Sequence, residues 1–269
     1  MFVLDGARGQ IILMREGSVA PCVTTAQILL RRHRPHADIK ADGIFGPKTK
    51  AAVKKFQEHH RLDKDGVVGG NTWRAFAEVS GLKTIDVVDG TDSALVEMEA
   101  ADIRTAGGDP IVVYGMSNGV EYVMGRIRAA AGGAQSVALL RIHEHGARGT
   151  QNVTGGTING APHMAAISDA NFSQLAGTLA TIRGVFVDFA SVQLLGCSVG
   201  GGNSGRSLVN KLAQVWGVPV TAGVFDQLGG GAATFKFEGP VVTGFPGGGE
   251  LPDWSGRVEA SSGNVTMAT

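Results

Sequence analysis

Cysteine is scarce in this chain. Two residues, Cys22 and Cys197, in 269 cannot build a disulfide framework or a zinc cluster. The one bridge they allow would join two segments that read as different domains. Charge of either sign is also missing as an excess: Lys+Arg and Asp+Glu are both 24, for a net charge of zero. A neutral chain offers no electrostatic case for nucleic acid or an anionic membrane surface. No stretch approaches the roughly 20 apolar residues that span a bilayer, so no membrane insertion is expected. The glycine-rich run Gly200–Gly205 has no following Lys-Ser/Thr, which argues against a phosphate-cradling loop. Met1 to Gly17 lacks a basic leader, and Asp5, Arg8, Gln10, Arg15 and Glu16 interrupt any apolar core, so it does not read as a secretory signal. The expected destination is the bacterial periplasm or cell wall by a route without a standard signal peptide, with a cytoplasmic location as the alternative.

What is abundant is glycine, 41 residues without a Gly-X-Y period, which means tight turns. Hydrophobic residues make up 43% and charged residues 18%, a globular composition for one large or two modest domains. Residues 18–82 read as a small all-α, three-helix domain. Val23, Ala26, Gln27 and Leu30 form one stripe at helical spacing, Ala52, Val53 and Phe56 another. Between them lies a short internal repeat, Asp42-Gly-Ile-Phe-Gly-Pro-Lys-Thr49 and Asp65-Gly-Val-Val-Gly-Gly-Asn-Thr72. Asp-Gly makes the turn, and Pro47 suits a first helical position because its missing N–H has no partner there anyway. Trp73 and Phe76 read as core at helical spacing.

These residues closely resemble the peptidoglycan-binding-like domain of bacterial cell-wall hydrolases: Leu29-Leu30, the two Asp-Gly repeats, Ala52-Val53, Phe56-Gln57, Leu62 and Thr72-Trp73. The resemblance implies a non-catalytic module with peptidoglycan as its partner.

Residues 83–109 read as a linker, with Ile85, Val87 and Val88 as a short apolar run before Gly107-Gly108-Asp109-Pro110. From 110 to 245 strands alternate with helices, the pattern of α/β architecture with a mainly parallel sheet covered by helices. Strands are expected at Ile111–Tyr114, Val137–Ile142, Ser191–Leu195, Val218–Ala222 (near an edge, because of Pro219) and Ala232–Glu238. Gln151–Ile158 reads as a polar hairpin turning at Gly155-Gly156. The Gly/Pro-rich tail, 246–269, is expected to carry little core.

Two strands end in chemistry. Val137–Ile142 runs into His143-Glu144-His145-Gly146, and Ser191–Leu195 runs into Gly196-Cys197. If both belong to one parallel sheet, Cys197 and His145 emerge at the edge where open α/β sheets hold ligands. A Cys–His pair supplies a nucleophile and its acid/base. The Gly146 N–H and the N–H of Cys197 could bind an oxyanion. Candidate substrate contacts are Asp226, for a basic group, and His143. With no third ligand beside His143 and His145, no metal or other cofactor is expected.

The order of an apolar block ending in His-Gly and another ending in Cys resembles the caspase-like cysteine peptidases. Leu194-Leu195-Gly196-Cys197, Gly205, Leu208, Leu212-Ala213, Gly217, Val220 and Ala222 also resemble an uncharacterised domain of large bacterial surface proteins. The caspase-type Gln-Ala-Cys-Arg-Gly is missing and Ser198 follows the Cys, so substrate preference does not carry over. The resemblances imply a peptidoglycan-targeted, caspase-like peptidase or amidase acting on a stem peptide or a protein. An antibacterial effector of a type VI secretion system, with an immunity protein as partner, would fit them. The alternative is a non-enzymatic wall-binding protein with an inactive second domain.

Overall fold

The computed structural model describes residues 14–33, 38–115, 119–154, 165–230 and 237–262. Three helices open it: α1 (Pro21–Arg32), α2 (Pro47–His59) and α3 (Gly70–Ser80). The sequence repeat now has a mechanism. Gln27 Nε2 reaches Asp42 Oδ1 and Ile44 O, both at 2.9 Å, while the Gly43 N–H donates to Gln27 Oε1 at 2.9 Å. Gln57 does the same one repeat later, to Asp65 Oδ1 at 2.7 Å and Val67 O at 2.8 Å, with the Gly66 N–H on its Oε1 at 2.9 Å. Each buried glutamine thus clamps the Asp-Gly turn that launches the next helix. Gly43 and Gly66 hold φ of 76° and 77°, a region open to glycine without steric cost.

The second half is built on a six-stranded sheet. Its strands are β1 (Lys83–Asp89), β2 (Ile111–Val113), β3 (Val137–His143), β7 (Phe186–Leu194), β8 (Val220–Gly223) and β9 (Val241–Gly244), in the order β2-β1-β3-β7-β8-β9. All neighbours pair in parallel except β8 and β9. A small antiparallel sheet of β4 (Gly146–Ala147), β5 (Thr150–Asn152) and β6 (Ala166–Ser168) leaves the end of β3. Between β1 and β2 run α4 (Ser93–Leu95), a π-helical turn (Val96–Ala100) and α5 (Ala101–Thr105). The right-handed crossovers place α6 (Gly119–Ala131) and α8 (Gly202–Trp216) on one face of the sheet. Between them packs α7 (Phe172–Ala180), where the Trp216 indole N–H donates to Leu179 O at 3.0 Å.

Several expectations are corrected here. Residues 83–109 are no linker: β1 lies between β2 and β3, and Val87 and Val88 are fully buried. The acidic residues scattered around that apolar run concealed a strand that is paired on both sides. The tail is not coreless either. α9 (Leu251–Ser262) packs against α1, burying Trp254 and Val258, residues one helical turn apart. Pro219 marks no edge: it only precedes β8, which is flanked on both sides, and its carbonyl accepts from the Val192 N–H at 2.9 Å. β7 starts at Phe186, earlier than the apolar run beginning at Ser191, because Asp188 is the one exposed break in an otherwise buried strand. The hairpin turn expected at Gly155-Gly156 and most of the strand expected at Ala232–Glu238 lie outside the described residues.

The first three helices are not a separate bead. Every residue of α1 from Pro21 to Leu30 is buried, because the helix lies between its own partners and the face of the sheet opposite α6 and α8. There the Thr25 hydroxyl donates to Phe189 O at 2.6 Å, and Cys22 Sγ lies 3.8 Å from Gln193 Nε2. Thr24 meets Ser255 of α9 at 3.2 Å, and Arg31 pairs with Glu259. Burial pushes the Cys22 thiol up to about 12, and both cysteines are free.

Candidate functional site

Directly paired residues run across the α1-facing side of the sheet as one polar row: Asp86 on β1, Arg141 on β3, Gln193 on β7, Thr221 on β8 and Thr243 on β9. Two residues further along β3, on the same face, is His143. The Arg141 guanidinium grips both oxygens of Asp86, with Nη2 at 2.8 Å from Oδ2. His143 Nε2 lies 3.0 Å from Asp86 Oδ1, and its Nδ1 faces Glu99 Oε2 at 3.6 Å. Burial alone would push the Asp86 carboxyl up. The Arg141 charge and the hydrogen bonds from His143 and Arg141 outweigh it and hold the group well below the usual carboxylate range. Glu99 goes the other way: burial raises it, with only partial opposition from His143.

Beyond this row β3 and β7 end side by side, and a cleft of about 210 Å³ opens between the segments that leave the sheet. Cys197 and His145 both line it, with Asp92, Glu99, Glu144 and Gln227. His145 extends into solvent, and its Nε2 lies 2.8 Å from Asp92 Oδ2. The other carboxylate oxygen of Asp92 accepts from the Ala94 N–H at 2.8 Å, capping α4. Cys197 Sγ sits against the backbone of Gln227, 3.3 Å from its N and 3.4 Å from its O.

Glycines let the two strand ends approach. A Cβ on Gly146 would stand 3.1 Å from Cys197 N and 3.0 Å from Cys197 O, and one on Gly196 would stand 3.0 Å from Glu144 O. The Asn152 N–H donates to His145 O at 3.2 Å, which makes His145 and Asn152 the hydrogen-bonded pair of the small ladder. Gly146 and Gln151 are then the non-hydrogen-bonded pair, and the Gly146 N–H points away from β5. After Cys197, Ser198 holds φ at 55°, an uncommon conformation for a non-glycine residue. It is pinned there by its N–H on Phe225 O at 2.9 Å and its hydroxyl on Asp226 at 2.8 Å.

The expected site residues therefore divide. Cys197, His145 and Gly146 come together. His143 does not face the cleft: it is 0% exposed, between Asp86 and Glu99. Asp226 is exposed and engaged with Ser198, away from the cleft lining. The carboxylates at the cleft are Asp92, Glu99 and Glu144. Asp92 and Glu99 went unnoticed in the sequence because they sit in the presumed linker. The π-helical turn carrying Met98 and Glu99 has no local sequence signature, although such turns gather at functional sites. Glu99 Oε2 and Glu144 Oε2 are buried and lack a hydrogen-bond partner among the described residues.

Comparison with known proteins gives two family matches. Residues 20–76 match a family described as a peptidoglycan binding domain, and residues 105–234 match a domain of unknown function, DUF4347. An uncharacterised protein in the bpoA1 3' region of Kitasatospora aureofaciens is 62% identical over 32 residues, 12% of this chain and 27% of that protein. A zinc D-Ala-D-Ala carboxypeptidase of Streptomyces albus G is 38% identical over 71 residues, 26% of this chain and 28% of that protein. The chain thus covers little more than a quarter of the length of either relative. The peptidoglycan-binding match associates the chain with the cell wall.

Proposed function

We propose that this chain is a wall-associated cysteine hydrolase of caspase-like type that cleaves a peptide or amide bond next to a cationic group. The observation that carries the reading is that the strand ends bearing His145-Gly146 and Cys197 are adjacent and pack backbone to backbone beside one acidic cleft. The peptidoglycan-binding match and the similarity to a D-Ala-D-Ala carboxypeptidase support the wall as the place of action.

In the proposed reaction the Cys197 sulfur attacks the substrate carbonyl carbon, and the thiol proton passes to His145. The carbonyl oxygen becomes an oxyanion, which the N–H groups of Gly146 and Cys197 stabilise. The C–N bond then breaks, and His145 returns the proton to the leaving amine. Water, with His145 as base, cleaves the thioester, releasing the acid and restoring the thiol. Asp92 touches neither substrate nor sulfur: it orients the imidazole. Glu99 and Glu144 would bind the cation. Glu144 Oε2 is a buried acceptor without a hydrogen-bond partner among the described residues, which such a group would satisfy, and a cation on Glu99 would relieve the burial that raises it.

The test is to incubate the wild type, Cys197→Ala and His145→Ala with purified peptidoglycan and with a peptide library. Release of new amino termini by the wild type alone is expected, with cleavage beside lysine, arginine or a diamino acid. Equal behaviour of all three proteins overturns the hydrolase and leaves a non-enzymatic wall-binding protein.

A further inference from the structure

Far from the cleft, the C-terminal ends of α1 and α2 converge and bring three histidines together. His33 follows the last residue of α1, His59 ends α2 and His60 follows it. One ring nitrogen from each lies within 4.8 Å of the others, the only such group of three His, Cys, Asp or Glu ligands among the described residues. His33 Nε2 and His60 Nε2 are 2.7 Å apart, and both rings rest against Phe56, with centroids 5.0 and 4.3 Å away. His59 is exposed and stands edge-on to both partners.

We infer that His33, His59 and His60 form a binding site for one divalent transition metal ion of the zinc, copper or nickel group.

Three arguments carry it. Imidazole is the ligand these metals favour, and three imidazoles with a solvent-open fourth position make a recurrent zinc arrangement. The spacing is close to what coordination needs. Nitrogens about 2.0–2.1 Å from a tetrahedral ion stand about 3.4 Å from one another, between the 2.7 Å and 4.8 Å spanned here. Turning the exposed His59 ring and slightly parting the other two would complete the set. Lastly, two helix C-termini, each carrying partial negative charge, point at the site, and both favour a cation. The bound ion would fasten the end of α1 to the end of α2. Since α1 also covers the central strand β7, the clamp would stiffen the contact between the wall-binding helices and the sheet.

The test uses the full-length chain, free of any histidine tag, treated with chelator and carrying Cys197→Ala so that the cleft thiol cannot contribute. Titration with Zn2+ alone is expected to show one ion per chain and to raise the melting temperature. His33→Ala and His59→Ala should each weaken binding by about tenfold or more and abolish the melting shift. His59→Ala keeps the experiment decisive if loss of the packed His33 ring disturbs folding. Co2+ should give the visible bands of a nitrogen- and oxygen-bound ion, lost in His59→Ala. Absence of stoichiometric binding, or binding that survives both substitutions, overturns the site.

Discussion

His145 Nε2 and Asp92 Oδ2 stand 2.8 Å apart at the mouth of the cleft, joining the end of β3 to the turn that follows β1. In the proposed reaction that contact gives the Cys197–His145 pair an orienting carboxylate. Replacing Asp92 with Asn keeps the oxygen that caps α4 and removes the charge beside the imidazole. Turnover of the hydrolysed peptide is expected to fall about 10²-fold or more with KM little changed. Steady-state kinetics of Asp92→Asn beside His145→Ala measures this, and a fall confined to KM would count against the orienting role.

The two thiols differ in reach. Cys197 lines an open cleft, whereas Cys22, on α1, is buried against the sheet and its thiol is pushed up to about 12 by that burial. Native protein treated with iodoacetamide at neutral pH should gain one carbamidomethyl group, at Cys197. A second should appear only after unfolding, and peptide mass spectrometry reads both.

Asp86 and Arg141 form a buried, two-pronged pair. Breaking it with Asp86→Asn leaves a buried guanidinium uncompensated and should cost about 3–5 kcal/mol. The native Asp86 carboxyl is held below its ordinary value. Its contribution is therefore complete above about pH 3.9 and is lost as the pH falls through the depressed native value. Urea unfolding of wild type and variant across the acid range tests both statements.

Glu99 has the opposite sign. With its native carboxyl raised, the folded chain holds this proton more tightly than the unfolded chain does. Stability declines as the pH rises from about 4.3 through the raised native value. Glu99→Gln should remove that decline and stabilise the protein at neutral pH. The same substitution should raise KM for a cationic peptide, a trade of stability against binding. Thermal melts against pH and peptide kinetics check the two halves independently.

Because α1 is buried on the sheet, the α/β half should not survive alone. A fragment starting at Lys83 would expose Phe189, the Arg141 row and the apolar face of α9, a large uncovered patch. It is expected to aggregate or to lose cooperative unfolding, as seen by light scattering and near-ultraviolet circular dichroism. A soluble, cooperatively melting fragment would show that the two halves fold independently.

Much of this was legible along the chain. The Asp-Gly repeat announced the helical module because its turn chemistry is local. The apolar runs of β3 and β7 read as parallel strands because both faces of such strands are buried. What escaped were elements whose meaning depends on distant partners. β1 looked like a linker because its acidic residue Asp86 finds its counterion on β3. α9 looked like a tail because its core residues face α1 from the other end of the chain. His33 and His59-His60 carried no metal-site signal because their proximity arises from two helices ending together.

The sequence by itself determined the two local chemistries: turns that launch helices, and strands that deliver His145-Gly146 and Cys197 to one end of a sheet. Periodicity, turn residues and strand direction are properties of neighbouring positions. Only the tertiary structure decided which carboxylates line the cleft. Asp92, Glu99 and Glu144 do and Asp226 does not, while His143 lies in a buried ion-pair row. Strand pairing fixes such choices, because a side chain's charge partner and its exposure are set by what packs against it from elsewhere in the chain.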